Sequence, residues 1–135
     1  MNEPLRTNII HTLLGSLPDI VAIYRFGSWD TPQARSDSDI DLAVLSEQPL
    51  SNMERWELSQ KLAQIASRDV DLVDLRSAST VMRLQIVAHG ERIYCTDEAA
   101  ASCFETAVFS GYARLNEERR EILADIRNRG SVYGR

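Results

Sequence analysis

The feature that most narrows the fold is the alternation of short β-rich runs with stretches of helical period. Ile20-Val-Ala-Ile-Tyr-Arg-Phe26 is β-branched and aromatic and stops at Gly27. Asp39-Ile-Asp-Leu-Ala-Val-Leu45 and Asp69-Val-Asp-Leu-Val-Asp-Leu75 are expected as two further strands, and Arg92-Ile-Tyr-Cys95 as a short fourth. Leu5, Ile9, Ile10, Leu13, Leu14 and Leu17 recur at helical spacing between Pro4 and Pro18. Ser51-Asn-Met-Glu54 is a capping box that opens a helix to about Ser67, with Trp56 and Ile65 as expected core anchors. A helix is expected from about Ser79 to His89, closed by Gly90 as its C′ residue. Asp97 is placed to cap a long helix to about Arg129, roughly 50 Å at 1.5 Å per residue, with Gly130 ending it. Strands alternating with helices in this way predict an α/β architecture, about four strands with helices packed on them.

The 135 residues suit a single domain, residues 1–135, large enough for a real core. The formal net charge of −5 argues against a free-standing nucleic-acid binder, which needs a basic face to displace counterions. An acidic chain that binds a polyanion needs cations or well-placed backbone N–H groups. Cys95 and Cys103 form no C-x-x-C and join no His/Cys cluster, so they are expected as reduced thiols in a cytoplasmic protein. Met1 to Arg6 does not resemble a signal peptide, and no run approaches the roughly 20 apolar residues that span a membrane.

Two clusters carry chemistry. Gly27 directly after a strand lets the backbone turn sharply and approach a ligand, and Ser28 offers a hydroxyl and N–H groups of the kind that receive phosphate. Alone, a Gly-Ser after a strand is an ordinary turn. Asp39 and Asp41 are two apart on one strand, so their side chains share a face with Ala43, while Ile40, Leu42 and Val44 take the other. Two carboxylates that close repel unless a cation lies between them, and hard oxygen donors suit Mg²⁺. The pair therefore either lines a solvated strand edge or holds divalent metal. Asp71 places a third acid on an otherwise apolar strand, where an unpaired charge is costly. Asp69 shares its side and Asp74 lies on the opposite one, as the reserve candidate.

Phe26-Gly-Ser28, Ala34-Arg35 and Ser38-Asp-Ile-Asp-Leu42, at their spacing, resemble the signature of the DNA polymerase β-like nucleotidyltransferases in their minimal form (MNT). Val70-Asp-Leu-Val-Asp-Leu75, Gly90-Glu-Arg-Ile-Tyr94 and the long last helix extend the resemblance over essentially the whole chain. Within that superfamily the chain resembles the antitoxins of HEPN/MNT toxin–antitoxin pairs. The resemblance implies the nucleotidyltransferase fold, a small mixed sheet with a long C-terminal helix. It also implies a protein adenylyltransferase that moves AMP from ATP onto a tyrosine of a HEPN ribonuclease toxin, its partner in a hetero-oligomer. By the same resemblance Gly27 and Ser28 hold the β- and γ-phosphates, Ser38 and Arg35 belong to the nucleotide site, and Asp39, Asp41 and Asp71 ligate Mg²⁺, two ions in all. Asp71 also helps deprotonate the attacking hydroxyl. Two rivals stand beside this reading: a nucleotidyltransferase acting on a small molecule, as the aminoglycoside enzymes do, and a purely steric antitoxin with a vestigial site.

Arg83 and His89 imitate the Arg-x4–6-His motif of the HEPN ribonucleases, but those are all-helical and this chain has strands. His89 is better explained as a cation at a helix C-terminus, and Arg25 as either a site or a structural group. On the last helix Phe104, Val108, Gly111, Leu115, Ile122 and Ile126 make a narrow apolar seam. The seam either packs on the chain's own sheet or, in its part from Leu115 to Ile126, which outreaches a domain about 30 Å across, docks on a helical partner.

Overall fold

The structure, a computed structural model, describes residues 3–28, 32 and 38–133. The element order is α1 (Glu3–Ser16), β1 (Ile20–Phe26), β2 (Ile40–Ser46), α2 (Asn52–Ala66), β3 (Val70–Asp74), α3 (Thr80–His89), β4 (Glu91–Cys95) and α4 (Glu98–Tyr133). The four expected strands are all present, each within a residue of its expected start. They form one mixed sheet in the order β3-β2-β1-β4, with β2 and β3 parallel and β1 antiparallel to both of its neighbours. The turn and loop expected across residues 28–38 lie mostly outside the described residues, as does Arg35.

Strand parity divides the core in two. Ile23, Ile40, Leu42, Val44 and Leu72 point to one face, where they pack with Ile9 and Leu13 of α1 and Leu58 and Leu62 of α2. Ala22, Tyr24, Ala43 and Leu45 point to the other, against Ile86 of α3 and Ala101 of α4. A register shift between Ile20 and Ala22 puts Ile20 with the first set although its parity belongs to the second. With both faces covered, β2 is buried along nearly its whole length.

Two expectations about α2 and α4 change. Trp56 is 60% exposed and Ile65 37% exposed, whereas Leu58 and Leu62, four residues apart, carry the buried stripe. The capping box forms as expected and sets the start of α2: Ser51 Oγ accepts from Glu54 N at 3.1 Å and Ser51 N donates to Glu54 Oε1 at 3.0 Å. Arg55, half-buried, donates its Nη1 to Leu72 O of β3 at 3.3 Å, and Trp56 lies a step off the buried stripe. Asp97 caps α4 as expected, its Oδ1 accepting from Ala100 N at 3.0 Å, but the helix continues through Gly130 to Tyr133. A single glycine costs a helix about 1 kcal/mol and does not by itself stop one.

The root of α4 is tied to the sheet by a polar network. Tyr24 donates its hydroxyl to Glu105 Oε2 at 2.7 Å, and Arg92 reaches both Glu105 (3.2 Å) and Glu98 (2.7 Å). Burial, reinforced by the neighbouring Glu105, pushes the Tyr24 phenol well above its usual range, so it stays a donor. Beyond Asn116 every side chain of α4 described is exposed. Cys95 and Cys103 are free thiols. Among the described residues no helix is long and apolar enough to cross a membrane.

Candidate active site

The N-terminal ends of the parallel strands β2 and β3 and the C-terminal end of the antiparallel β1 meet at one edge of the sheet. The register sets Phe26 opposite Asp41 on one side and Asp71 opposite Asp41 on the other. Asp41 and Asp71 thus stand level on neighbouring strands and project from the face that carries Ala43 and Val73. Asp39 sits one residue before β2, exposed, with the same parity. Asp41 is partly buried and Asp71 exposed. Burial first, then the charges of Asp71 and Asp39, push the Asp41 carboxyl above the usual range.

Gly27 closes this edge. Its φ is +70°, in the left-handed region, and a β-carbon there would fall against Asp41 Oδ2. Glycine is therefore required twice over, for the turn and for the carboxylate beside it. Ser28 follows in the same turn and is exposed, and Ser38 is partly buried just before Asp39, its carbonyl accepting from Arg68 Nη1 at 3.4 Å. Gly90 is a different case. It caps α3 in an extended conformation (φ −84°) rather than a left-handed one, yet a β-carbon would lie 2.5 Å from Ile86 O and 2.6 Å from Arg25 O. It lets the end of α3 press onto the end of β1.

The alternatives left open by parity are separated by what each side chain touches. Asp74 is buried on the opposite face, and its carboxylate accepts from Leu50 N (3.0 Å), Arg76 N (3.0 Å) and Ser77 Oγ (2.9 Å). It holds the loop before α2 against the end of β3. Arg25 is paired with Glu91 at 3.3 Å, and Glu91 also lies 3.6 Å from Arg6 of α1, so Arg25 belongs to the α1 side of the sheet. Arg83 donates to Leu75 O and Arg76 O, both at 2.7 Å, and His89 is exposed in the last turn of α3. His11 is exposed on α1.

Among the described residues no three His, Cys, Asp or Glu side chains are drawn together as one coordination group. What gathers is an open cluster: Asp41 and Asp71 level with each other, Asp39 alongside, and the Gly27-Ser28 turn against Asp41. Its donors are all hard oxygens, and the repulsion concentrated on Asp41 is what a divalent cation relieves, so the residues fit Mg²⁺. An acid-lined sheet edge next to a glycine turn can bring metal and a polyphosphate together. Sequence reasoning overlooked Phe26 as the direct neighbour of Asp41; the signal was its place immediately before Gly27 on an antiparallel pair.

A family model described as polymerase beta nucleotidyltransferase matches residues 8–99. The chain is 41% identical over 126 residues to the protein adenylyltransferase MntA of Shewanella oneidensis, covering 93% of this chain and 90% of that protein. Among solved structures, a chain of the tri-AMPylated Shewanella oneidensis HEPN toxin in complex with MNT antitoxin is 41% identical with a TM-score of 0.78, covering 93% of this chain and 98% of that one. A toxin–antitoxin complex with AMP-PNP gives 43% and 0.79 over the same shares. A spectinomycin adenyltransferase from Enterococcus faecialis shares the fold at 17% identity, with a TM-score of 0.55 over 73% of this chain and 58% of that one.

Proposed function

The chain belongs to the polymerase β nucleotidyltransferase family, and from that premise we propose that it is an adenylyltransferase antitoxin: it moves AMP from ATP onto a tyrosine hydroxyl of a cognate HEPN-family toxin and so silences it. The observation that carries this reading is the level pair Asp41 and Asp71 with Gly27 turned against Asp41. The kinship to a protein adenylyltransferase supplies the acceptor class, and the relatives' complexes with HEPN toxins and with an ATP analogue supply partner and substrate.

In this reading the Gly27-Ser28 turn receives the β- and γ-phosphates through backbone N–H groups and the Ser28 hydroxyl. Arg35 and Ser38 complete the nucleotide site. Asp39, Asp41 and Asp71 would hold Mg²⁺, two ions, which when bound neutralises charge on the polyphosphate and fixes its orientation. Asp71, exposed at the start of β3, takes the proton of the incoming tyrosine hydroxyl. That oxygen forms a new bond to the α-phosphorus as the bond to the β-phosphate bridging oxygen breaks, and pyrophosphate leaves. Positioning, rather than covalent participation of a side chain, does the remaining work. The cytoplasm, where ATP is present and thiols such as Cys95 and Cys103 stay reduced, is the compartment this chemistry requires.

The single domain would then supply half of a composite site, with the acceptor brought by the partner. The exposed far part of α4, where Ile122, Leu123 and Ile126 are each more than half exposed, is the part we assign to docking that partner. The test is to incubate the chain with Mg·ATP and its co-encoded neighbour and weigh both proteins by intact mass spectrometry. AMP increments on the neighbour that vanish with Asp39→Ala plus Asp41→Ala support the reading. Neutralisation of the neighbour with no mass change favours the steric antitoxin. An unmodified, unbound neighbour favours a small-molecule acceptor.

A further inference from the structure

Beyond the end of β3 opposite to the acids, a cavity of about 250 Å³ is lined by Arg76, by Thr80 and Arg83 of α3, and by Phe104, Val108 and Gly111 of α4. None of the acids of the candidate active site lines it, and Arg76 follows the end of β3 opposite to the one at which Asp71 stands. Both arginines are half-buried and lie over the Phe104 ring, at 5.5 Å and 5.8 Å from its centroid. Arg76 commits its Nε to Ser46 O at 2.7 Å, and Arg83 commits Nε and one Nη to the Leu75 and Arg76 carbonyls. A guanidinium has five N–H donors, so both keep donors to spare.

Neither arginine has a carboxylate within ion-pair distance among the described residues. In this chain of net charge −5 Arg6, Arg25 and Arg92 are by contrast each paired with glutamate. Carbonyls and an aromatic face orient the two cations but leave their charge uncompensated. Thr80 is the first residue of α3, so its end of the cavity also carries the positive end of the helix dipole. The α4 wall is apolar and shallow, and at Gly111 a β-carbon would meet nothing within 4 Å.

We propose that this cavity is the seat of an acidic side chain of the partner protein, a second anchor away from the site of AMP transfer. The inference rests on the adenylyltransferase reading for the identity of that partner. A carboxylate matches two guanidinium forks, and the open apolar wall beside them accommodates the chain that carries it. A free phosphate would meet the same cations but leave that wall uncovered. The cavity also lies at the root of α4, whose far half no other part of the described chain covers, so a protein lying along α4 passes its rim. Two anchors fix the partner's orientation and present its acceptor hydroxyl to Asp71 without either anchor touching the nucleotide.

The test fills the cavity with charge instead of removing an arginine that the fold uses. Thr80→Glu adds a carboxylate at a first-turn position where the helix dipole favours it, and Thr80→Gln adds the same bulk without charge. Calorimetry measures the Kd of the ATP-free complex with the toxin, and steady-state transfer gives kcat and KM. The expected result is a Kd and a KM about tenfold or more higher for Thr80→Glu, with kcat within about twofold of wild type. Thr80→Gln should match wild type, and the gap between the two variants should narrow as salt is raised. Equal Kd values for all three proteins overturn the proposal. So does saturable binding of inorganic phosphate that Thr80→Glu abolishes while toxin affinity is unchanged, which would make the cavity a small-anion site. A wild-type chain that binds the toxin but transfers no AMP contradicts the proposed function alone, because the Kd comparison still decides the anchor. A wild-type chain that binds no toxin overturns both.

Discussion

The Asp41 carboxylate occupies the space that a side chain at Gly27 would need: a β-carbon there would fall against Asp41 Oδ2 and lie 3.1 Å from Asp41 Cγ. The glycine turn and the metal-ligand candidate are therefore one construction, made by pairing Phe26 with Asp41 across β1 and β2. Gly27→Ala meets both the left-handed φ and this contact. It should cost about 1–3 kcal/mol of stability and displace Asp41, lowering AMP transfer on the order of 100-fold. Thermal unfolding and a transfer assay below the lowered Tm check the two parts separately.

The raised pKa of Asp41 has a sign that can be measured. Burial and the charges of Asp71 and Asp39 disfavour its ionised form in the folded state. Protonation therefore favours folding: the advantage is full below the unfolded pKa and is lost as pH rises through the higher folded pKa. At neutral pH without metal, Asp41→Asn should unfold at a temperature about 2 °C higher than wild type, a modest figure because the group is partly solvated. The gap should close as pH falls through the carboxylate range. Added Mg²⁺ should raise the Tm of wild type more than that of Asp41→Asn, and the variant should transfer no AMP.

Asp71 and Asp74 should separate chemistry from structure. Asp74→Ala strands the Leu50 and Arg76 N–H groups and the Ser77 hydroxyl, which its buried carboxylate now accepts. It should cost about 2–4 kcal/mol and leave substantial transfer in protein kept folded at low temperature. Asp71→Asn, at an exposed position, should shift stability by about 0.5 kcal/mol or less and abolish transfer. Chemical denaturation beside single-turnover assays distinguishes them, and equal losses of transfer in folded protein would count against Asp71.

Removing α4 from Glu117 onward should leave the Tm within a few degrees of the full chain, since every side chain described there is exposed. The same truncation should weaken the complex with the toxin. Size-exclusion chromatography across a concentration series checks this, and full affinity in the truncated chain would refute the docking role.

Much of this arrangement was legible in the sequence because strand periodicity is strict. A period of two placed Asp39 with Asp41 on one strand and set Asp71 apart from Asp74 on the next, and the structure keeps both divisions; that Asp71 joins the pair was implied by the family resemblance and depends on the β2–β3 register. Parity could not say what Asp74 does, because its partners, Leu50 and Ser77, come from loops whose approach depends on tertiary packing. The buried face of α2 was misassigned for a related reason. Met53, Trp56, Leu58, Leu62 and Ile65 surround so much of the helix that side-chain size gives no phase, and the phase shows only in the packing of Leu58 and Leu62 into the core under the sheet. Gly90 was correctly marked as a boundary, but its cause is contact with β1 rather than handedness. The Arg76–Arg83–Phe104 cavity left no trace in the sequence, since its lining comes from β3's exit, α3 and α4.

The most direct measurement places radiolabel at either the α- or the γ-phosphate of ATP and follows it to the toxin in the presence of Mg²⁺. The α-label should appear on the toxin, the γ-label should leave as pyrophosphate, and both events should stop with Asp39→Ala plus Asp41→Ala. Label on the toxin from the γ-position, or a toxin that is bound and silenced but never labelled, would contradict it.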